Sequence, residues 1–139
     1  MAKKAANKKL PRRPSPKKIA FVGVGRMGAN MARHLNDLNY NITAVYDVNR
    51  TAAKEIAEEI GAKAYTKLAD VTAAADIIFT VVTNDAAMKK IFLGGKDNLF
   101  TAAAGKTFIN CATLSPEIQK TISTSAKRRK ASCIEACMA

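Results

Sequence analysis

Residues 18–30 read KIAFVGVGRMGAN. Four apolar side chains, Ile19 to Val22, run straight into three glycines spaced G-x-G-x-x-G at Gly23, Gly25 and Gly28. Glycine weakens the interior of a helix or strand by roughly 0.5–1 kcal/mol, so a cluster of this kind serves backbone geometry rather than regular structure. Two uses fit: an ordinary turn between two elements, or a loop that lets an anionic group approach bare backbone. The flanking sequence chooses between them.

Working outward, apolar runs of strand length recur at 19–22 (IAFV), 42–46 (ITAVY), 76–82 (DIIFTVV) and 107–110 (TFIN), with weaker runs at 62–65 (AKAY) and 133–138 (CIEACM). Helical stretches fall between them at 26–38, 50–60, 66–74, 85–93 and 115–129. Short, apolar, barely alternating strands separated by helices predict a parallel sheet covered on both faces. Two βαβ halves with right-handed crossovers predict a Rossmann-type α/β fold: a doubly wound, mostly parallel six-strand sheet in the order 3-2-1-4-5-6. The last strand, at the end of the sequence, is expected to fray. The helix from 115 opens on SPE, where Ser115 suits the N-cap, Pro116 the first turn and Glu117 the positive end of the dipole. Its other end carries Lys127, Arg128, Arg129 and Lys130, which favour the negative dipole end. That cluster reads as a solvated helix terminus rather than as a nucleic-acid patch.

The glycine loop therefore has a strand before it, an amphipathic helix after it, and Asp47 at the end of the next strand, 19 residues past Gly28. In a dinucleotide-binding unit each part has a task. Gly23 permits the tight turn, Gly25 lets backbone approach the pyrophosphate, and Gly28 allows the helix to pack closely on the strand. The helix N-terminus offers unpaired N–H groups and a positive dipole end, and Asp47 is positioned for the adenosine ribose hydroxyls. The loop reads as a phosphate cradle formed by Gly23, Val24, Gly25, Arg26, Met27 and Gly28. In YDVNRT (46–51) the Asp47 carboxylate disfavours a 2′-phosphate, so NAD is the expected cofactor. Arg50, three residues on, keeps NADP as the alternative.

The net charge of +12 is concentrated in one place. Residues 1–18 hold 8 of the 23 basic residues and no acid, which leaves 15 basic residues against 11 acidic ones, a net of +4, for the remainder. This stretch has Leu10 as its only large apolar residue after Met1, and three prolines. Residues 1–17 are therefore expected to be a disordered basic tail and residues 18–139 a single domain. A solubilising tail, a nucleic-acid arm acting through counterion release, a targeting segment and a membrane-surface patch are its four readings. No apolar run is long enough to span a bilayer. Cys111, Cys133 and Cys137 form no CxxC pair, and with His34 the one histidine they offer no zinc set. Buried thiols in a reducing compartment are expected, with the cytoplasm as the location and the mitochondrion and nucleus as alternatives.

The segments FVGVGRMGANMARHL, YDVNR, IIFTVVTND and GKTFINCATLSPE resemble the β-hydroxyacid dehydrogenase family, which includes 3-hydroxyisobutyrate dehydrogenase, tartronate semialdehyde reductase and relatives of 6-phosphogluconate dehydrogenase. The resemblance runs from Lys18 to the last residue. It implies hydride transfer between a nicotinamide dinucleotide and a small 3-hydroxy acid or its semialdehyde. It also implies that Val82 and Thr83 lie beside the cofactor and that Thr113 touches the nicotinamide side. The family's D-x-S-T segment reads Asn110-Cys111-Ala112-Thr113 here, so alanine replaces the serine that helps hold the substrate carboxylate. The family's catalytic lysine and its helical second domain lie beyond the segments matched, and no catalytic residue can be assigned within these 139 residues. Turnover by the chain alone is therefore not expected, and a homo-oligomer is expected only with that second domain. A non-catalytic nucleotide-binding or chromatin-associated module, using residues 1–18 on nucleic acid, is the alternative reading.

Overall fold

The computed structural model describes residues 14–136. Strands and helices alternate: β1 (Lys18–Val22), α1 (Arg26–Asp37), β2 (Asn41–Tyr46), α2 (Arg50–Ile60), β3 (Lys63–Ala64), α3 (Leu68–Ala73), β4 (Ile77–Thr80), α4 (Asp85–Leu93), β5 (Thr107–Asn110), α5 (Pro116–Arg128) and β6 (Ser132–Glu135). The sheet order is β3-β2-β1-β4-β5-β6 and every ladder is parallel, as the alternating pattern predicts. The order reverses between β1 and β4, and the crevice at the carboxyl ends of these strands is the fold's natural ligand position.

Each strand divides its side chains between two cores. Ala20, Val22, Ile78 and Phe108 face α3, α4 and α5, while Ile19, Phe21 and Val45 face α1 and α2. A register irregularity between β1 and β2 leaves Thr43 without a ladder partner. Ile42 and Ala44, two residues apart, consequently face opposite layers, which a regular strand forbids. The Thr43 hydroxyl donates to the Ala74 carbonyl at 2.8 Å, so the bulge carries its own anchor. On the α1–α2 side the helices cover β1 to β3. Farther along that face Ile77, Phe79 and Ile109 are half-buried, and Ile134 is 51% exposed.

Most element boundaries shift by one or two residues from the sequence reading, and two of the shifts matter for the site and the last strand. The run 76–82 leaves its ladder after Thr80, so Val81 and Val82 form a wall at the sheet's carboxyl edge instead of a strand end. The final strand closes at Glu135; residues 137–139, including Cys137, lie outside the described residues, as do residues 1–13 of the predicted tail. The segment 94–106, with no regular element in the sequence pattern, packs into the core through Leu99, Phe100 and Ala103. Phe100 meets Phe92 at a ring separation of 4.8 Å and Phe108 at 5.7 Å.

Candidate dinucleotide-binding site

The three glycines answer to different constraints. Gly23 has φ +96°, and a Cβ there would strike the Val81 carbonyl oxygen; a Cβ on Gly28 would strike the carbonyl oxygen of Gly23. Both are therefore demanded by the protein's own atoms. Gly25 is not: its φ of −67° suits any L-residue, and a Cβ built there meets nothing within 4 Å. The space in front of Gly25 is open, and it lies at the N-cap of α1.

That helix start is unlike the others. Asn49 caps α2 through the Ala52 N–H at 3.1 Å, Asn84 caps α4 through Ala87 N–H at 2.9 Å, and Ser115 caps α5 through Ile118 N–H at 3.4 Å. The start of α3 is closed by the Asp97 carboxylate, which accepts from the N–H groups of Leu68 and Ala69 at 2.9 and 3.0 Å. Among the described residues only α1 has neither a capping side chain nor an acid in its first turn. Its leading N–H groups and positive dipole end face the opening beside Gly25, an arrangement complementary to phosphate.

Asp47 stands at the end of β2, and both its carboxylate oxygens accept backbone bonds. Oδ2 takes the Val24 N–H at 2.8 Å and Oδ1 takes the Asn49 N–H at 2.8 Å. A carboxylate offers about four lone-pair sites, so two remain for a ligand's hydroxyls. Asp47 thereby also ties the glycine loop to the start of α2. Arg50 lays its guanidinium over the Tyr46 ring, 5.3 Å from the centroid, at this same end of the crevice.

The residues named from the sequence fall into two adjoining hollows. One, of ≈ 270 Å³, brings Gly23, Gly25, Asp47, Val82 and Thr83 together with Tyr46, Val48 and Lys90. The other, of ≈ 300 Å³, gathers Gly25, Arg26, Met27, Gly28, Val82, Thr83 and Thr113 with Cys111 and Ala112. Val24 enters neither. Its side chain is 4% exposed and belongs to the α1–α2 core, and its N–H is committed to Asp47. Sequence reading missed Lys90, which reaches the first hollow from α4; nothing in the Met88-Lys89-Lys90 run distinguishes it.

The second hollow is held in shape from below. Thr80 and Asn110, opposed in the β4–β5 register and fully buried, share a hydrogen bond of 2.6 Å from the Thr80 hydroxyl to the Asn110 amide oxygen. Nearby the Ser115 N–H donates to Asp85 at 3.0 Å, joining the first residue of α4 to the N-cap of α5. The Ser115 hydroxyl and N–H hold the Asp85 carboxyl below its ordinary range. Among the described residues, the titratable side chain lining this hollow besides Arg26 is the Cys111 thiol, pushed up by burial. A general base needs hydrogen-bond reach and a pKa near the working pH, and this lining offers neither.

Residues 18–138 match the family described as the NAD binding domain of 6-phosphogluconate dehydrogenase. The chain is 30% identical to the mitochondrial 3-hydroxyisobutyrate dehydrogenase of Drosophila melanogaster, over 86% of this chain and 36% of that one. It is 32% identical to the cytokine-like nuclear factor N-PAC of Xenopus tropicalis, over 75% of this chain and 19% of that one. The crystal structure of a putative oxidoreductase from Mycobacterium avium superposes with a TM-score of 0.73 at 28% identity, covering 86% of this chain and 41% of that one. The chain thus spans well under half the length of the relatives it matches.

Proposed function

The chain belongs to the family of 6-phosphogluconate dehydrogenase NAD-binding domains, and from that premise we propose that it forms the cofactor-holding part of an NAD-dependent dehydrogenase acting on a small 3-hydroxy acid or its semialdehyde. The observation that carries this reading is the uncapped start of α1 beside the open face of Gly25. The backbone at Gly25 and the start of α1 through Gly28 would hold the pyrophosphate, Asp47 the adenosine ribose, and Val82, Thr83 and Thr113 the nicotinamide side. The bound nicotinamide would supply the hydride acceptor for an alcohol carbon. The chain's own residues bind and orient it, and the apolar wall of Val81 and Val82 keeps water from one side of the crevice. NAD is favoured over NADP because the Asp47 carboxylate stands where a 2′-phosphate would have to approach. The similarity to 3-hydroxyisobutyrate dehydrogenase supports the substrate class. Calorimetry with NAD and NADP on the wild type and on Gly25→Val tests the assignment. Binding is expected in the first and lost in the second; equal NAD affinity in both overturns it.

As the second reading we propose that the acid-free basic stretch 1–18 contacts nucleic acid, which its charge supports. The free thiols of Cys111 and Cys133 accord with a reducing compartment; the cytoplasm is the proposed location, with the mitochondrion and the nucleus as alternatives, the nucleus being the one a nucleic-acid contact favours. Cell fractionation checks the location.

A further inference from the structure

The tertiary structure joins two basic segments that the sequence holds far apart. At the amino ends of the strands, opposite the glycine loop, a row of backbone bonds links four neighbours. Asp76 N–H donates to Lys18 O at 2.8 Å, Thr107 N–H to Asp76 O at 3.0 Å, and Ser132 N–H to Lys106 O at 2.9 Å. Gly105 N–H reaches the Lys130 carbonyl at 2.9 Å, which fixes the end of α5 against the same row. Lys18 shares strand parity with Ala20 and Val22, whose side chains face the α3–α5 layer, so it projects toward the layer that ends in Lys127-Arg128-Arg129-Lys130. Three inter-strand steps of about 4.8 Å make this row roughly 14 Å long.

Lys17, Lys18, Lys127, Arg128 and Lys130 are all exposed along this edge, and Lys106 stands among them with its ammonium on the Ala75 carbonyl at 2.6 Å. Among the described residues the acid in the row is Asp76, whose carboxylate is engaged by the Lys18 N–H at 2.9 Å. The acids of α2 belong to the opposite layer, where Glu59 pairs with Arg33 at 2.7 Å. Helix capping accounts for only part of the cluster. Arg129 lies over the Phe100 ring and donates to the Ser125 carbonyl, a local role. Lys130 instead occupies the left-handed position after the helix, at φ +60°, with Ala131 N–H closing onto Ala126 O at 2.9 Å. Glycine is the favoured residue there, and the same chain uses Gly61, at φ +76°, in the corresponding place after α2. A lysine at this position keeps a charge where the backbone alone would choose glycine.

We infer that this edge is a polyanion-binding face and that its partner is duplex nucleic acid, held through phosphates and without base readout. The inference extends the nucleic-acid reading of residues 1–18 from the tail to the folded domain. A duplex carries one charge per about 1.7 Å of axis, so a row of this length meets several phosphates at once.

The test is fluorescence anisotropy of a short labelled DNA duplex with the full 139-residue chain, titrated between about 50 and 200 mM salt. Arg128→Ala/Lys130→Gly removes two charges while placing glycine at the left-handed position, so a thermal melt at or above the wild type's establishes that the domain is folded. Affinity is expected to fall by about tenfold or more, and the log–log salt slope to lessen by roughly 1.8, at about 0.9 per lost phosphate contact. Neutralising Lys8, Lys9, Arg12 and Arg13 to alanine reads the tail separately. Loss of binding there with an unchanged Arg128→Ala/Lys130→Gly variant overturns the face and leaves the tail reading standing. Binding to phosphatidylserine-rich vesicles without binding to DNA overturns both.

Discussion

Gly25 and Gly28 are alike in sequence and opposite in consequence. Gly25→Val places a side chain in open space at a φ every L-residue accepts, so the melting temperature is expected to stay near the wild type's while NAD affinity is lost. Gly28→Ala drives its methyl into the Gly23 carbonyl and is expected to cost about 1–3 kcal/mol of stability in a urea titration. Asp47 combines both roles. Asp47→Ala removes the proposed ribose acceptor and also frees the Val24 and Asn49 N–H groups it now engages at 2.8 Å each. Calorimetry should accordingly register weaker NAD binding, about tenfold, with a narrowed or reversed preference against NADP, since Arg50 then stands without a neighbouring carboxylate.

At the scale of elements, the loops that frame the crevice are fixed by buried polar pairs between strands. Thr80→Val leaves the Asn110 amide oxygen without its 2.6 Å donor inside the sheet, and urea unfolding is expected to lose about 1–3 kcal/mol. In β6, burial raises the Cys133 thiol, with help from the Glu135 charge, from 9.0 to about 11. Between these values the unfolded chain releases its thiol proton and the folded chain retains it. Stability therefore falls as pH rises from about 9 toward 11, and below 9 this group makes no difference. Melts across that window should show a shallower alkaline decline in Cys133→Ala than in the wild type; parallel declines would remove the thiol as their cause.

For the whole molecule, the cofactor crevice and the basic row occupy opposite ends of one sheet, so each can be altered without the other. The hollow beside Thr113 carries Ala112 where the resembled family has a serine hydroxyl, and among the described residues its lining holds no carboxylate, lysine or histidine. General acid–base catalysis contributes about 100- to 10,000-fold, and poor substrate positioning compounds its loss. Residues 1–139 alone are expected to bind NAD yet form no NADH from 3-hydroxyisobutyrate; steady NADH formation would mean that a lysine elsewhere, or one from a partner chain, serves as base.

The strand order, the parallel pairing and the glycine loop were legible in the sequence, because period and glycine spacing report local backbone requirements directly. The proposed ribose role of Asp47 was read from the same kind of signal, a carboxylate ending a strand at a fixed distance from the loop. Its second role, gripping Val24 N–H, required β1 and β2 to be side by side. Lys90 in the crevice, Asp97 closing α3 and Phe100 filling the core depend on contacts between segments remote in the chain, which leave no periodic trace. The end of α5 makes the same point. Sequence proximity marks Lys127 to Lys130 as a helix terminus, and only the parallel sheet, by stacking the amino ends of β1, β4, β5 and β6, brings them into one row with Lys17 and Lys18.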